Sequence, residues 1–343
     1  MTTPFGSQLP ELAGTPPGPR SRELGARLRR VESRNITLVA DDWPIFWEEA
    51  RGANVRDADG NVYVDLTGGF GVAAAGHAAP QVADAIARQA ARLPHGLGDV
   101  HPSRVKVELL ERLAELAPPG LDTTILGTTG AEAVEASLKT ALLATGRAGV
   151  IAFRNGYHGL SIGALAATDR PESADPFGAR IGRRARLAPY PDAARPATAR
   201  ESIDAVRAIV DETRGTEHAI GAIVVEAIQG RGGIVVPPAD FLPSLRAVCD
   251  DAGALLVVDE IYTGLGRTGR WFACEHVGVV PDIVTVGKAL SGALPISAAI
   301  GRADVMRAWP ESRGEALHTS TFLGNPVGCA AALAQLRLIE TLD

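Results

Sequence analysis

The sequence predicts an α/β fold, with a mostly parallel central sheet, helices on both faces and a smaller attached domain. Three observations lead there. The short β-branched runs TTILGT, GVIAF, IGAIVVEA, ALLVVDE, DIVTVGK and ISAAIG are mainly apolar and do not alternate, as strands covered on both faces do not. Stretches with apolar residues at helical spacing lie between several of them, which is the order that builds a parallel sheet. Charged residues fall at the carboxyl ends of the runs, where such sheets bind ligands.

Residues 1–35 read as a tail and a helix. The tail, to about residue 20, is rich in Pro, Gly and Ser and predicts disorder, whereas RSRELGARLRR predicts a solvated amphipathic helix. Residues 36–77 predict a strand-rich part of a small domain, with a hairpin turning at Asp59-Gly60. Residues 78–343 predict the large domain. There PQVADAIARQAARL, VKVELLERLAEL, AEAVEASLKTALLATG and FLPSLRAVCDDAG have helical periodicity.

At 343 residues, 46% of them hydrophobic, the chain can bury a large core. A net charge of -6 with mixed signs gives no support to a nucleic-acid partner. The three cysteines, Cys249, Cys274 and Cys329, are odd in number and lack metal-site spacing, which fits a reducing compartment. No apolar run suits a bilayer span and the start is polar, so a cytoplasmic location without membrane attachment is expected.

The strand ends carry the chemistry. IVVEAIQG brings Glu226, LLVVDE brings Asp259 and Glu260, and IVTVGK brings Lys288. Each acid alone reads more simply as a helix cap or a surface residue, and Lys288 alone could equally lie on a surface turn. Thr129, Gly130 and Ala131 lead straight into a helix, whose first N–H groups favour an anion such as phosphate; an ordinary N-cap by Thr129 fits as well. Together, an amine, an anion pocket and a strand-end carboxylate are the parts that hold pyridoxal phosphate, with Asp259 the better partner for its ring nitrogen.

The run VVDEIYTGLGRTGRWFACEHVGVVPDIVTVGKALSGALPISAAIG resembles the signature of class III aminotransferases, the pyridoxal-phosphate enzymes of fold type I. DADGNVYVDLTGG, TTGAEAVEASLK, NGYHG, VVEAIQGRGG and HTSTFLGNPVGCAAA extend the likeness. The resemblance implies that Lys288 links to the cofactor's aldehyde and moves the substrate proton. It implies that Asp259 pairs with the ring nitrogen, that Ile261 and Tyr157 cover the two ring faces, and that His158 and Tyr262 belong to the cofactor's surroundings. Thr129, Gly130 and Ala131 match the phosphate loop. Thr321 matches a phosphate contact delivered by the second subunit, so a homodimer with shared sites is expected. Glu226 matches a carboxylate near the cofactor's phenolic oxygen and the substrate. The implied reaction moves an amino group from an amino acid or ω-amine donor to a 2-oxo acid, in two ping-pong halves.

Two departures bear on substrate. Tyr262 stands where many members have Gln, and Arg231 stands where ornithine- and 4-aminobutyrate-type enzymes often have a Glu that holds a carboxylate-binding arginine aside. Arg231 either binds an acidic substrate group or points to solvent. The family's C-terminal small domain is expected to be absent from this chain, which ends at LRLIETLD. An amino-acid racemase or epimerase on the same scaffold, and a catalytically incomplete dimerising remnant, remain as alternatives. The segment HGLGDVHPSR is expected on the substrate side, with no role assigned to His95 or His101.

Overall fold

The computed structural model describes residues 3–38, 40, 42–194 and 199–342. Its centre is a seven-stranded sheet in the order β4-β10-β9-β8-β7-β5-β6. The strands are β4 (Leu121–Gly127), β5 (Gly149–Phe153), β6 (Arg186–Ala188), β7 (Ile220–Glu226), β8 (Leu255–Asp259), β9 (Ile283–Val286) and β10 (Ser297–Arg302). Neighbours from β9 through β6 pair parallel, and β10 alone runs against both β9 and β4. The expected mostly parallel sheet is what forms, with ISAAIG as its reversed strand.

Side chains of one strand alternate between two cores. Ala222 and Val224 of β7 join Val257 and Ile283 in a cluster with Ala136 and Ala141 of the helix Gly130–Thr145. Ile223 and Val225 of the same strand join Leu256, Val258 and Val284 in a larger cluster with Leu245 and Val248 of the helix Phe241–Ala252. Apolar residues in unbroken runs are therefore required, because both faces of each central strand are dry. Among the described residues, no helix is long and apolar enough to cross a membrane. Cys249, Cys274 and Cys329 are free and buried.

Outside this sheet, β1 (Trp47–Arg51), β2 (Asn54–Asp57) and β3 (Val62–Val64) form an antiparallel sheet, and β2 and β3 are the arms of the expected hairpin at Asp59-Gly60. The helix Pro19–Val31 covers RSRELGARLRR and is largely exposed, as its charge pattern predicts.

The expected disorder of the tail is corrected from residue 3 onward. Asn54 Oδ1 accepts the N–H groups of Gly6 and Gln8 at 3.0 and 2.7 Å, Asn61 Oδ1 accepts that of Gly14 at 3.1 Å, and Glu11 bridges to Val62. Composition undercounted this segment because its anchors are two buried amides on the hairpin rather than apolar residues of its own. The first two residues of the tail, and positions 39 and 41 of the strand-rich stretch, lie outside the described residues.

Candidate active site

The register of three strands assembles the floor of the site. Glu226, the last residue of β7, pairs across from Asp259, the last of β8, and Asp259 pairs across from Thr285 of β9. Asp259 Oδ1 accepts from Thr285 Oγ1 and from the N–H of Ile261, both at 3.1 Å. Its Oδ2 lies 2.8 Å from His158 Nδ1. Burial pushes the imidazole of His158 down, but the hydrogen bond and charge of Asp259, with the charge of Glu226, outweigh it and hold His158 above its ordinary value. The two form a buried hydrogen-bonded pair.

Glu226 is fixed by backbone. Oε2 accepts the N–H of Tyr157 at 3.0 Å and Oε1 that of Gly230 at 3.1 Å. Burial, with Asp259 nearby, still lifts its carboxyl above the usual range. Glu260 faces the other way. Its carboxylate accepts from Ala273 and Cys274 N–H at 3.0 and 2.8 Å and from Thr263, so it braces the following loop and does not line the cavity.

Lys288 sits just past β9. The strand ends at Val286, Gly287 is extended, and Lys288 opens a short 3-10 turn at φ +36°, where L residues are strained. Burial lowers its ammonium pKa, the charge of Arg231 lowers it further, and Asp259 and Glu226 oppose both.

The cavity above this floor measures about 290 Å³. The sequence-predicted residues Thr129, Gly130, Ala131, Tyr157, His158, Glu226, Asp259, Ile261, Tyr262 and Lys288 all line it. Thr321 does not; it is exposed, as are its neighbours Ser320 and Phe322. Nor does HGLGDVHPSR, where His95 packs edge-on against Phe322 at 5.4 Å. Gly159, Leu160 and Gly230 line the cavity without having been singled out, since a glycine or an exposed leucine carries no chemical signal in a sequence.

Close packing shapes the walls. Thr129 caps the helix Gly130–Thr145, its Oγ1 accepting from Glu132 N–H at 3.2 Å. Gly130 must be small, because a Cβ there would stand 2.8 Å from Ile261 Cδ1. Tyr262 lies between two glycines: a Cβ at Gly71 would reach its ring at 3.4 Å and one at Gly230 at 2.9 Å. Lys288 Nζ is 5.4 Å from the centre of the same ring. Arg231 lies over Tyr157 at 4.4 Å.

These residues fit pyridoxal 5'-phosphate. The first N–H groups of a helix have no intrahelical acceptor and attract an anion, and here they open beside Gly130 and Ala131 at the cavity wall. A carboxylate hydrogen-bonded to His158 suits a protonated ring nitrogen, and Lys288, the one lysine among the described residues that line the cavity, suits an aldehyde.

Comparison with known proteins agrees. The model of the family described as aminotransferase class-III matches residues 38–343. The acetylornithine aminotransferase of Methanosarcina mazei is 37% identical over 309 residues, 90% of this chain and 72% of its own length. The putrescine aminotransferase of Pectobacterium atrosepticum is 39% identical over 90% of this chain, which spans 64% of that relative. Among solved structures, the ornithine aminotransferase from Toxoplasma gondii, which showed partial occupancy of PLP at its active site, superposes with a TM-score of 0.81 at 34% identity, over 94% of this chain and 71% of its own. The expected fold type I architecture is thereby shown, and the chain belongs to the class III aminotransferase family.

Proposed function

We propose that Lys288 is the amine that binds pyridoxal 5'-phosphate in this transaminase and carries the substrate proton during transfer. The observation that supports this most is the placement of Lys288 in one cavity with the Asp259–His158 pair and the N-terminus of the helix Gly130–Thr145. When bound, the cofactor supplies an aldehyde that accepts the donor's amine and a ring that takes up an electron pair.

The chain's own residues do the rest. Lys288, neutral over a wider pH range than an exposed lysine, would take the proton from the carbon bearing the amine and deliver it to the carbon that was the cofactor's aldehyde, so that the amino group stays with the cofactor. Asp259, oriented by its hydrogen bonds to His158 and Thr285, would hold a proton at the ring nitrogen. Tyr157 and Ile261 would cover the ring, and Thr129, Gly130 and Ala131 would hold the phosphate. Glu226 would orient polar groups of cofactor and substrate through its fixed carboxylate, and Tyr262 lines the wall near Lys288.

The donor class we propose is a primary amine at the end of an unbranched carbon chain, because relatives are named for acetylornithine, putrescine and 4-aminobutyrate. The acceptor is a 2-oxo acid. A homodimer with shared sites, in the cytoplasm, is part of the same proposal. Thr321 lies outside this chain's own cavity, and Leu66, Phe70, Leu97 and Phe322 offer exposed apolar surface. Residues 1–35, 36–77 and 78–343 are the proposed tail, small-domain segment and large domain.

The test loads the full chain with pyridoxal 5'-phosphate, adds a panel of amines without any oxo acid, and follows the cofactor's absorbance. Stoichiometric conversion to the aminated cofactor is expected. Loss of a donor's optical activity without conversion would point to racemisation, and failure to bind cofactor would sink the catalytic reading.

A further inference from the structure

Arg231 is a cation at the cavity wall whose side chain is also open to solvent. Among the described residues its guanidinium forms no ion pair and no side-chain hydrogen bond, and it lies over the Tyr157 ring at 4.4 Å. Its backbone is held firmly by comparison. Glu226 accepts from Gly230 N–H, Gly230 O accepts from Gly233 and Ile234 at 3.2 and 3.1 Å, Gln229 bridges to Val235, and Arg170 donates to the Arg231 carbonyl. A hydrogen-bonded loop thus presents a guanidinium over an aromatic ring, and a guanidinium is a fork that a carboxylate accepts from in two places.

The charges of the cavity leave the same vacancy of partners. Its acids are spoken for, Asp259 by His158 and Glu226 by two N–H groups. With Lys288 joined to the cofactor, Arg231 is left as a cation without a hydrogen-bonded carboxylate among the described residues. A substrate anion supplies that carboxylate while the substrate's reacting end meets Lys288.

We propose that Arg231 is the receptor for a substrate carboxylate remote from the reacting amine or keto group, so that this chain selects carboxylate-bearing ω-amines over diamines. The inference rests on the transaminase reading of the cavity and adds the substrate class to it.

Two measurements on the cofactor-loaded full chain test it. In the first, half-reaction kcat/KM is compared for 4-aminobutyrate and putrescine. The selectivity ratio is expected to fall by about tenfold or more in Arg231→Gln, and to be partly recovered in Arg231→Lys, which keeps charge without the fork. A ratio unchanged in Arg231→Gln, or a lysine variant no better than glutamine, overturns the proposal. In the second, binding of glutarate, an unreactive dicarboxylate, is measured by calorimetry. Its Kd is expected to weaken by about tenfold or more in Arg231→Gln; equal binding by both proteins, or none to the wild type, overturns the proposal. The calorimetric result stands even if no amine is turned over, so failure of the receptor and failure of the transaminase reading are told apart.

Discussion

Asp259 and His158 meet at 2.8 Å between Oδ2 and Nδ1, and neither side chain is more than 4% exposed. Separated by 101 positions in sequence, they are joined because β8 ends where the loop after β5 turns back over the sheet. Removing one member of a buried pair leaves the other charge unmatched.

His158→Ala is therefore expected to destabilise the cofactor-free protein by about 3 kcal/mol, measured by urea unfolding. The pH dependence has a definite sign. The folded pKa of His158 lies above its ordinary 6.5, so its contribution is complete below that value and is lost as pH rises through the folded pKa. The stability gap between wild type and variant should accordingly narrow on the alkaline side. A gap independent of pH would show that the pair is not ionic.

Lys288→Ala should abolish covalent binding of pyridoxal 5'-phosphate, and an unchanged cofactor spectrum would identify the wrong lysine. Backbone strain gives a second readout on the same position. At φ +36°, Lys288→Gly should be more stable than Lys288→Ala by about 1 kcal/mol in cofactor-free protein, measured by thermal or urea unfolding.

Gly130→Ala should weaken cofactor binding by about tenfold, because the added methyl meets Ile261 and pushes the helix N-terminus or the ring cover aside. Ile261→Val in the same protein removes the Cδ1 atom in the way and should restore part of the affinity. Fluorescence titration with pyridoxal 5'-phosphate reads both effects.

A shared site predicts complementation. Lys288→Ala protein mixed with a Thr321→Ala variant of weakened cofactor retention should give dimers in which one of the two sites has both residues intact. Activity should rise above that of either variant alone, toward about a quarter of the wild-type value after co-refolding, because random pairing makes about half of the dimers mixed and each of those has one intact site. No gain on mixing would place Thr321 outside the partner's site.

Much of the site was legible because strand ends and unusual residues coincide in the sequence. Glu226, Asp259 and Lys288 each stand at or just beyond an apolar run, and the sheet's register alone brings them together. What was illegible depends on contacts between distant segments. The three-residue edge strand β6 is too short to show a period, and the Asn54 and Asn61 anchors of the tail look like ordinary turn residues. The strained φ of Lys288 leaves no mark in composition, and the stack of Arg231 on Tyr157 needs two loops that only the fold makes neighbours.

Tyr262 packs against Gly230, where a Cβ would stand 2.9 Å from its ring, so that glycine cannot gain a side chain while the tyrosine stays. Exchange of Tyr262 for a smaller residue frees room at 230, whereas Gly71, at φ +85°, is kept a glycine by its own backbone. Positions 230 and 262 are therefore coupled: a change at 230 that is harmful beside tyrosine becomes acceptable after position 262 has shrunk. Diversification of this wall has an obligatory order, with the aromatic residue giving way first.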